Sequence, residues 1–87
     1  MAEKLHFSLV SPERELFSGE VDRVDAPGTE GAFGVLAGHA PFMTTLKVGR
    51  VHVHSDGDER VYEVEGGFAD VTPQGLTILA EKATEVV

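Results

Sequence analysis

The chain has 87 residues, of which 41% are hydrophobic, and it contains no cysteine and no tryptophan. Its 15 Asp and Glu residues outnumber its 7 Lys and Arg residues, and the resulting net charge of −8 is unfavourable for binding a phosphate backbone. We therefore expect a single domain over residues 1–87, without disulfides or thiolate metal sites and without nucleic acid as a partner.

The first segments predict β-strands. Apolar and polar residues alternate over residues 5–9, as they do in a strand with one wet face. Over residues 16–27 the apolar positions change phase between Val21 and Val24, which predicts a bulge or a strand that crosses between sheets, with Gly19 as the pivot. No apolar run is long enough to span a bilayer, and a strand-like segment follows the start almost at once, so we expect neither a signal peptide nor membrane insertion.

Residues 28–41 carry a glycine every three or four positions and end in Gly38-His39-Ala40-Pro41. The run is too rich in glycine for a helix, and positive φ angles would let it fold back tightly and expose backbone amides as a contact surface. It does not fit a phosphate loop, because no Lys-Ser or Lys-Thr and no helix follow it. It does not fit an RNA clamp either, because flanking cations are absent and Glu30 has the wrong sign. A purely structural turn is the alternative.

The rest of the chain predicts further strands and two hairpins. Residues 42–46 form a mostly apolar strand, and Ser55-Asp56-Gly57-Asp58 separates two alternating segments as a hairpin turn does. Pro73-Gln74-Gly75 marks a second hairpin. Seven or more strands without a helical period predict an all-β fold, a two-sheet antiparallel β-sandwich of short strands with no substantial helix.

The residue types that carry chemistry do not assemble into a recognisable site. His52 and His54 have a spacing that could hold a metal, but no third ligand completes the set, which favours a solvated strand face. His39 has no serine, cysteine or aspartate nearby in a triad pattern. The carboxylates scatter over turns and wet faces. We therefore expect no catalytic residue, no metal and no cofactor.

Six short motifs follow one another along the chain. They are Val10-Ser11-Pro12-Glu13, Leu16-Phe17-Ser18-Gly19, Gly38-His39-Ala40-Pro41, Leu46-Lys47-Val48-Gly49, Glu65-Gly66-Gly67-Phe68 and Leu76-Thr77-Ile78-Leu79-Ala80-Glu81. Their order and spacing over about residues 5–83 resemble the N-terminal sandwich domain of the epsilon subunit of F-type ATP synthases, called delta in mitochondria. The resemblance implies the same two-sheet architecture.

The resemblance also implies a function. The expected protein is a noncatalytic rotor subunit of the central stalk, which binds the gamma subunit and the c-ring and couples proton translocation to ATP synthesis. We expect it at the bacterial inner membrane, peripheral and on the cytoplasmic side. The resemblance places the c-ring contact at Glu30, Gly31, Ala32 and Phe33, with His39 close by. It places the gamma contact at Ser11, Phe42, Met43 and Thr44.

Two further expectations concern alternatives and regulation. An autonomous ligand-binding sandwich is the competing interpretation, and it is disfavoured because Tyr62 is the one tyrosine and tryptophan is absent. Longer members of the resembled family continue into a pair of helices that inhibits ATP hydrolysis and in some members binds ATP. Since few residues follow Glu81, we expect this chain to bind no nucleotide.

Overall fold

Alternating apolar and polar residues form eight β-strands within residues 3–86. A computed structural model describes residues 3–86. The strands are β1 (Leu5–Val10), β2 (Glu15–Val21), β3 (Arg23–Gly28), β4 (Gly31–Val35), β5 (Phe42–Thr45), β6 (Gly49–Ser55), β7 (Asp58–Val71) and β8 (Gly75–Glu85). None of the described residues belongs to a helix of the length and apolarity that crossing a bilayer requires.

The strands form two packed layers that share the long strands β7 and β8, of 14 and 11 residues. The first half of β7 pairs with β6, whereas its last four residues pair with β5. The first layer therefore contains β4, β3, β6, residues 58–65 and residues 82–85. The second layer contains β5, residues 68–71, residues 75–81, β1 and β2. The predicted all-β sandwich is confirmed.

One strand pairing is not antiparallel. β1 runs parallel to β8, with His6 opposite Gly75 and Val10 opposite Leu79. All the other pairings between strands are antiparallel. Because β1 and β8 lie at opposite ends of the chain, no hairpin signal in the sequence could indicate that they are neighbours.

The two layers join at a bend in β7, where Gly66 and Gly67 have φ angles of 73° and 114°. A Cβ atom on Gly67 would lie 2.8 Å from the Ala80 Cα of the paired strand and closer still to the Leu79 carbonyl oxygen. The bend is also held from the β5 side, because the Leu46 N–H donates to the Gly67 carbonyl over 2.9 Å. Only glycine fits this position of the sandwich.

The predicted pivot at Gly19 is wrong. Gly19 lies within β2, in regular pairing opposite Phe7, and the local irregularity of this pair of strands falls between Leu9 and Val10. The chain instead changes layer at Asp22, the single residue between β2 and β3. Side chains alternate between the two faces of a strand, and the extra residue Asp22 shifts this alternation by one position. The side chain of Val24 therefore points into the same core as that of Val21.

The glycine-rich segment is also more regular than expected. Its first half forms β4, an edge strand paired with β3, rather than a tightly folded loop. Ala32 and Gly34 occupy one phase, while Phe33 and Val35 occupy the inward phase. Within residues 31–41 only Gly31 and Gly38 have positive φ angles, 132° and 80°.

Both predicted hairpins are confirmed. Asp56 and Gly57 form the two-residue turn between β6 and β7, with φ angles of 53° and 84° as a type I′ turn requires. The turn between β7 and β8 closes with the Thr72 N–H donating to the Gly75 carbonyl over 2.8 Å.

Aromatic side chains close the gaps between the layers. On one side the Phe17 ring lies 5.5 Å from Phe7 and 6.4 Å from Tyr62, and Arg60 Cζ lies 5.9 Å from the Phe17 centroid. An apolar core lies between the two layers, and among residues 3–86 no charged residue is fully buried in it. The Tyr62 hydroxyl is buried there without a hydrogen-bond partner. The core is formed mainly by Leu5, Phe7, Leu9, Val21, Val24, Val35, Val51, Val53, Tyr62, Val64, Val71, Leu76 and Ile78.

Candidate partner-binding surfaces

The outer surface of the second layer carries a row of apolar side chains. Phe68 of β7 lies opposite Leu79 of β8, and Leu79 lies opposite Val10 of β1. Phe68 is 37% exposed and Leu79 is 40% exposed, although Ala69, Ile78 and Ala80 beside them in the chain lie in the core. Three adjacent strands thus present apolar groups to solvent at the same level of the sheet.

Met43 and Ser11 extend this row at both ends. Met43, 64% exposed, lines a shallow depression together with Phe68. Ser11 and Pro12 line the adjacent depression with Phe68 and Leu79. We call Val10, Pro12, Met43, Phe68 and Leu79 the apolar face. Two of the predicted gamma contacts, Ser11 and Met43, are far apart in sequence and lie together on this surface.

The other two predicted gamma contacts point inward. In β5, Phe42 pairs with Val71 and Thr44 pairs with Ala69, and both of these partners belong to the core. Because side chains alternate along a strand, Phe42 and Thr44 share the inward phase and leave Met43 outside. Both are half-buried. Thr44 nevertheless lines the same depression as Met43 and Phe68, whereas Phe42 does not.

The predicted c-ring contacts divide in the same way. Glu30, Gly31 and Ala32 are exposed at the turn between β3 and β4, which we call the hairpin tip. The tip is anchored on β5, because the Thr29 N–H donates to the Thr45 carbonyl over 3.0 Å and the two hydroxyl groups lie 2.7 Å apart. Exposed side chains on an anchored backbone suit a contact with a rigid partner.

Phe33 and His39 belong to an aromatic cluster rather than to the tip. The Phe42 ring lies 5.4 Å from Phe33 and 5.2 Å from His39, and together the three rings close the second gap between the layers. His39 Nδ1 lies 2.9 Å from the Ala40 carbonyl and donates its N–H to that oxygen. The cluster joins residues predicted to contact two different partners.

The segment that carries His39 is tied to the second hairpin. The His39 N–H donates to the Leu36 carbonyl over 3.2 Å, which forms a local turn. The Gly38 N–H donates to the Pro73 carbonyl over 3.3 Å, across to the turn between β7 and β8. This motif therefore serves a structural purpose that is independent of any partner.

The outer surface of the first layer is polar. His52 Nδ1 lies 2.8 Å from Glu59 Oε2, and His54 Nε2 lies 3.1 Å from Asp25 Oδ2. Arg23 Nε donates to Asp25 over 2.8 Å. Within residues 3–86 no group of three or more such side chains is arranged to hold a metal ion. The two histidines thus lie on a wet strand face, paired with carboxylates.

A second ionic cluster lies at Asp22, where the chain changes layer between β2 and β3. Lys4 Nζ lies 2.7 Å from Asp22 and 2.8 Å from Asp56. The Asp56 N–H donates to the same Asp22 carboxylate over 2.7 Å. The hydrogen bond from Lys4, followed by that from Asp56, lowers the pKa of Asp22, and the two carboxylates raise the pKa of Lys4. The cluster ties the start of β1 to the first hairpin turn.

Sequence reasoning missed Phe68 and Leu79 as surface residues. The signal was present at Leu79, because Leu79 follows Ile78 directly and so interrupts the alternation of a half-buried strand. An apolar residue in the polar phase marks a surface with a second role. At Phe68 the signal was hidden, since the change of phase at Gly66 and Gly67 appears only when the bend is known.

The match to known proteins covers nearly the whole chain. The family model of the ATP synthase delta/epsilon chain β-sandwich domain matches residues 4–86. The chain belongs to this family. The predicted epsilon-type sandwich is therefore confirmed, and with it the expectation of a noncatalytic stalk subunit rather than an enzyme.

Relatives agree with the family in sequence. An ATP synthase epsilon chain of Caulobacter vibrioides is 70% identical over 82 residues, which cover 94% of this chain and 95% of that relative. An epsilon chain of Hyphomonas neptunium is 71% identical, with 95% of this chain but only 62% of the relative covered. This delta/epsilon domain thus spans nearly all of one relative and about three fifths of the other.

Solved structures agree in fold. A chain in the cryo-EM structure of the Euglena gracilis mitochondrial ATP synthase OSCP/F1/c-ring assembly superposes with a TM-score of 0.90 at 25% identity, covering 98% of this chain and 55% of that chain. A chain of the Tetrahymena thermophila central stalk and c-ring has a TM-score of 0.81 at 14% identity, covering 95% and 67%. At 14% identity, the second match is evidence for a shared fold and not for a shared function.

Proposed function

We propose that this domain is a noncatalytic rotor subunit of an F-type ATP synthase and couples proton translocation to ATP synthesis. Its apolar face binds the gamma subunit, and its hairpin tip contacts the c-ring. It lies at the bacterial inner membrane as a peripheral subunit on the cytoplasmic side. The observation that carries the proposal is the meeting of Ser11 and Met43 with Phe68 and Leu79 on one surface of the second layer.

The chemistry of the apolar face supports a protein partner. Phe68 and Leu79 keep 37% and 40% of their surface exposed in the isolated domain. Full burial of such a side chain is worth about 1.5 to 3 kcal/mol, so burying the remaining area contributes about 1 kcal/mol for each residue. Met43 adds a flexible apolar group that can fit an irregular surface.

Phe42 and Thr44 have an indirect part in this proposal. Both lie on the inward side of β5, where Phe42 packs against Phe33 and His39. Their side chains pack β5 against the core and so fix the direction in which Met43 points. In this proposal the gamma contact is made by Ser11 together with the apolar face, which includes Met43.

The hairpin tip forms the c-ring contact in this arrangement. Glu30, Gly31 and Ala32 supply exposed groups, while Phe33 and His39 hold β4 against β5 from within. A subunit that transmits torque needs to be rigid. Close packing between the layers and aromatic side chains at both gaps provide this rigidity, since packed interiors have low compressibility.

The experiment measures binding of this chain to the gamma subunit of the same ATP synthase. The double variant Phe68→Ala/Leu79→Ala removes about 2 kcal/mol of contact, which corresponds to a Kd increase of roughly 30-fold. Surface plasmon resonance gives the Kd, and urea unfolding checks that the fold is retained.

The matched control is Val48→Ala. Val48 is 68% exposed, lies in the connection between β5 and β6 and lines neither depression of the apolar face. Its replacement leaves the Kd for gamma unchanged. An unchanged Kd in the double variant, or an equal loss in the control, would refute the assignment of this face.

A further inference from the structure

The two layers differ in where they carry positive charge. The strand segments of the first layer hold four cations, Arg23, Arg50, Arg60 and Lys82. The strand segments of the second layer, all within residues 3–86, contain no Lys or Arg. They contain four carboxylates, Glu15, Glu20, Asp70 and Glu81. The first-layer segments also hold six carboxylates, Asp25, Asp58, Glu59, Glu63, Glu65 and Glu85. Both layers are therefore net acidic, and the difference between them is that the strand segments of the second layer lack cations.

Three carboxylates lie beside the apolar face, and one cation, Lys82, lies at its Pro12 end, where it shares a depression with Glu81. Asp70 lies opposite Met43 in the pairing of β5 with β7. Glu30 lines the depression formed by Met43 and Phe68, and Glu81 lines the one formed by Phe68 and Leu79. None of the three forms a salt bridge with another of the described residues. Their charge is therefore available to a partner.

We propose that the apolar face selects a protein partner whose contact surface is apolar at its centre and carries Lys or Arg at its rim. The inference rests on the proposed function and adds the chemistry of the partner's surface to it. The same acidic rim disfavours a second copy of this chain as the partner at the apolar face. A twofold self-contact would place the same acidic rim opposite itself.

The physical basis is electrostatic complementarity around an apolar centre. Carboxylates at a rim attract a basic partner during diffusional encounter, so they raise the association rate more than they lengthen the lifetime of the complex. Such an effect depends on salt, because the Debye length is about 10 Å at 0.1 M salt and about 3 Å at 1 M. Like charges opposite each other destabilise a wrong complex.

The test compares charge reversals on the two layers. Asp70→Lys and Glu81→Lys each reverse one rim charge. The control Glu63→Lys reverses an exposed β7 residue of the first layer and changes the net charge by the same amount. At low salt each rim variant is expected to lower the association rate constant with gamma by roughly 5-fold, and the difference disappears at about 1 M salt. The control keeps the wild-type rate.

The wild-type chain also tests the proposal without any substitution. Its association rate with gamma is expected to fall as salt is added, and sedimentation velocity is expected to show a monomer at high protein concentration. An association rate that depends on neither salt nor the rim charges, or a wild-type dimer, would overturn this inference while leaving gamma binding intact. A wild-type chain that does not bind gamma at all would instead refute the proposed function.

Discussion

Replacing Gly67 with alanine tests the bend that joins the two layers. The φ angle of 114° is strained for any residue with a Cβ, which costs about 1 to 3 kcal/mol. The new Cβ would also lie 2.8 Å from Ala80 Cα and closer to the Leu79 carbonyl, so the backbone of β8 must shift. Overpacking of this kind adds about 1 to 3 kcal/mol. We expect a total loss of ~4 kcal/mol.

A loss of that size is a large part of the total stability. A chain of 87 residues is expected to have a free energy of unfolding of about 4 to 13 kcal/mol. With an m-value of about 1 to 3 kcal/mol per molar urea, the Gly67→Ala substitution lowers the unfolding midpoint by more than ~1 M. Urea unfolding followed by circular dichroism measures this shift.

The neighbouring glycine provides the control. Gly66 has a φ angle of 73°, close to the left-handed region, and a Cβ there would lie 3.0 Å from Oε1 of the Glu81 side chain, which can move aside. Gly66→Ala therefore costs about 1 to 2 kcal/mol. Equal midpoints for the two variants would show that the backbone of β8 does not restrict Gly67, and the reasoning about the bend would fail.

Two further predictions concern the Lys4–Asp22–Asp56 cluster and the glycines of β4. The pKa of Asp22 is lowered in the folded state, so its contribution to stability is present above the ordinary Asp pKa of about 4 and is lost as the pH falls below that value. The Asp22→Asn variant should therefore be less stable than the wild type at neutral pH and should lose less stability on acidification. Urea unfolding midpoints measured across pH check both expectations. Gly34→Val would place its Cβ 2.6 Å from Arg23 Nη2, which disturbs an exposed ion pair worth about 0 to 1 kcal/mol. Gly31→Val meets no atom within 4 Å but is strained at φ 132°, so it should be the more destabilising of the two. The reverse order of midpoints would contradict this.

Local patterns were sufficient for the hairpins and for most strands. The Asp-Gly turn at Asp56 and the Pro-Gln-Gly turn after Thr72 restrict the backbone within a few residues, so their effect is independent of the rest of the fold. The prediction of a tightly folded loop over the glycine-rich segment was wrong for residues 31–35, because its composition indicated a loop while Phe33 and Val35 already followed a strand period. Composition indicates freedom of the backbone, whereas alternation indicates the conformation that burial selects.

The candidate site was predictable only in part. The resemblance grouped Ser11, Phe42, Met43 and Thr44 as gamma contacts, and this remains a prediction. The structure adds that Met43 lies in the outward phase of β5 and that Phe42 and Thr44 lie in the inward phase. Phe68 and Leu79 reach the surface together because the register of β7 against β8 makes them opposite neighbours. A register between strands depends on contacts across the whole domain.

The sequence by itself determined the strand period, the two hairpin turns, the acidic net charge and the family. These properties are local or additive, so they can be read from neighbouring residues or from composition. Only the tertiary structure decided that β1 runs parallel to β8, that the chain changes layer at Asp22 and that all strand cations lie in the first layer. The physical reason is that alternation sets which side chains share a face of one strand, whereas strand pairing over long sequence separations sets which strands share a layer.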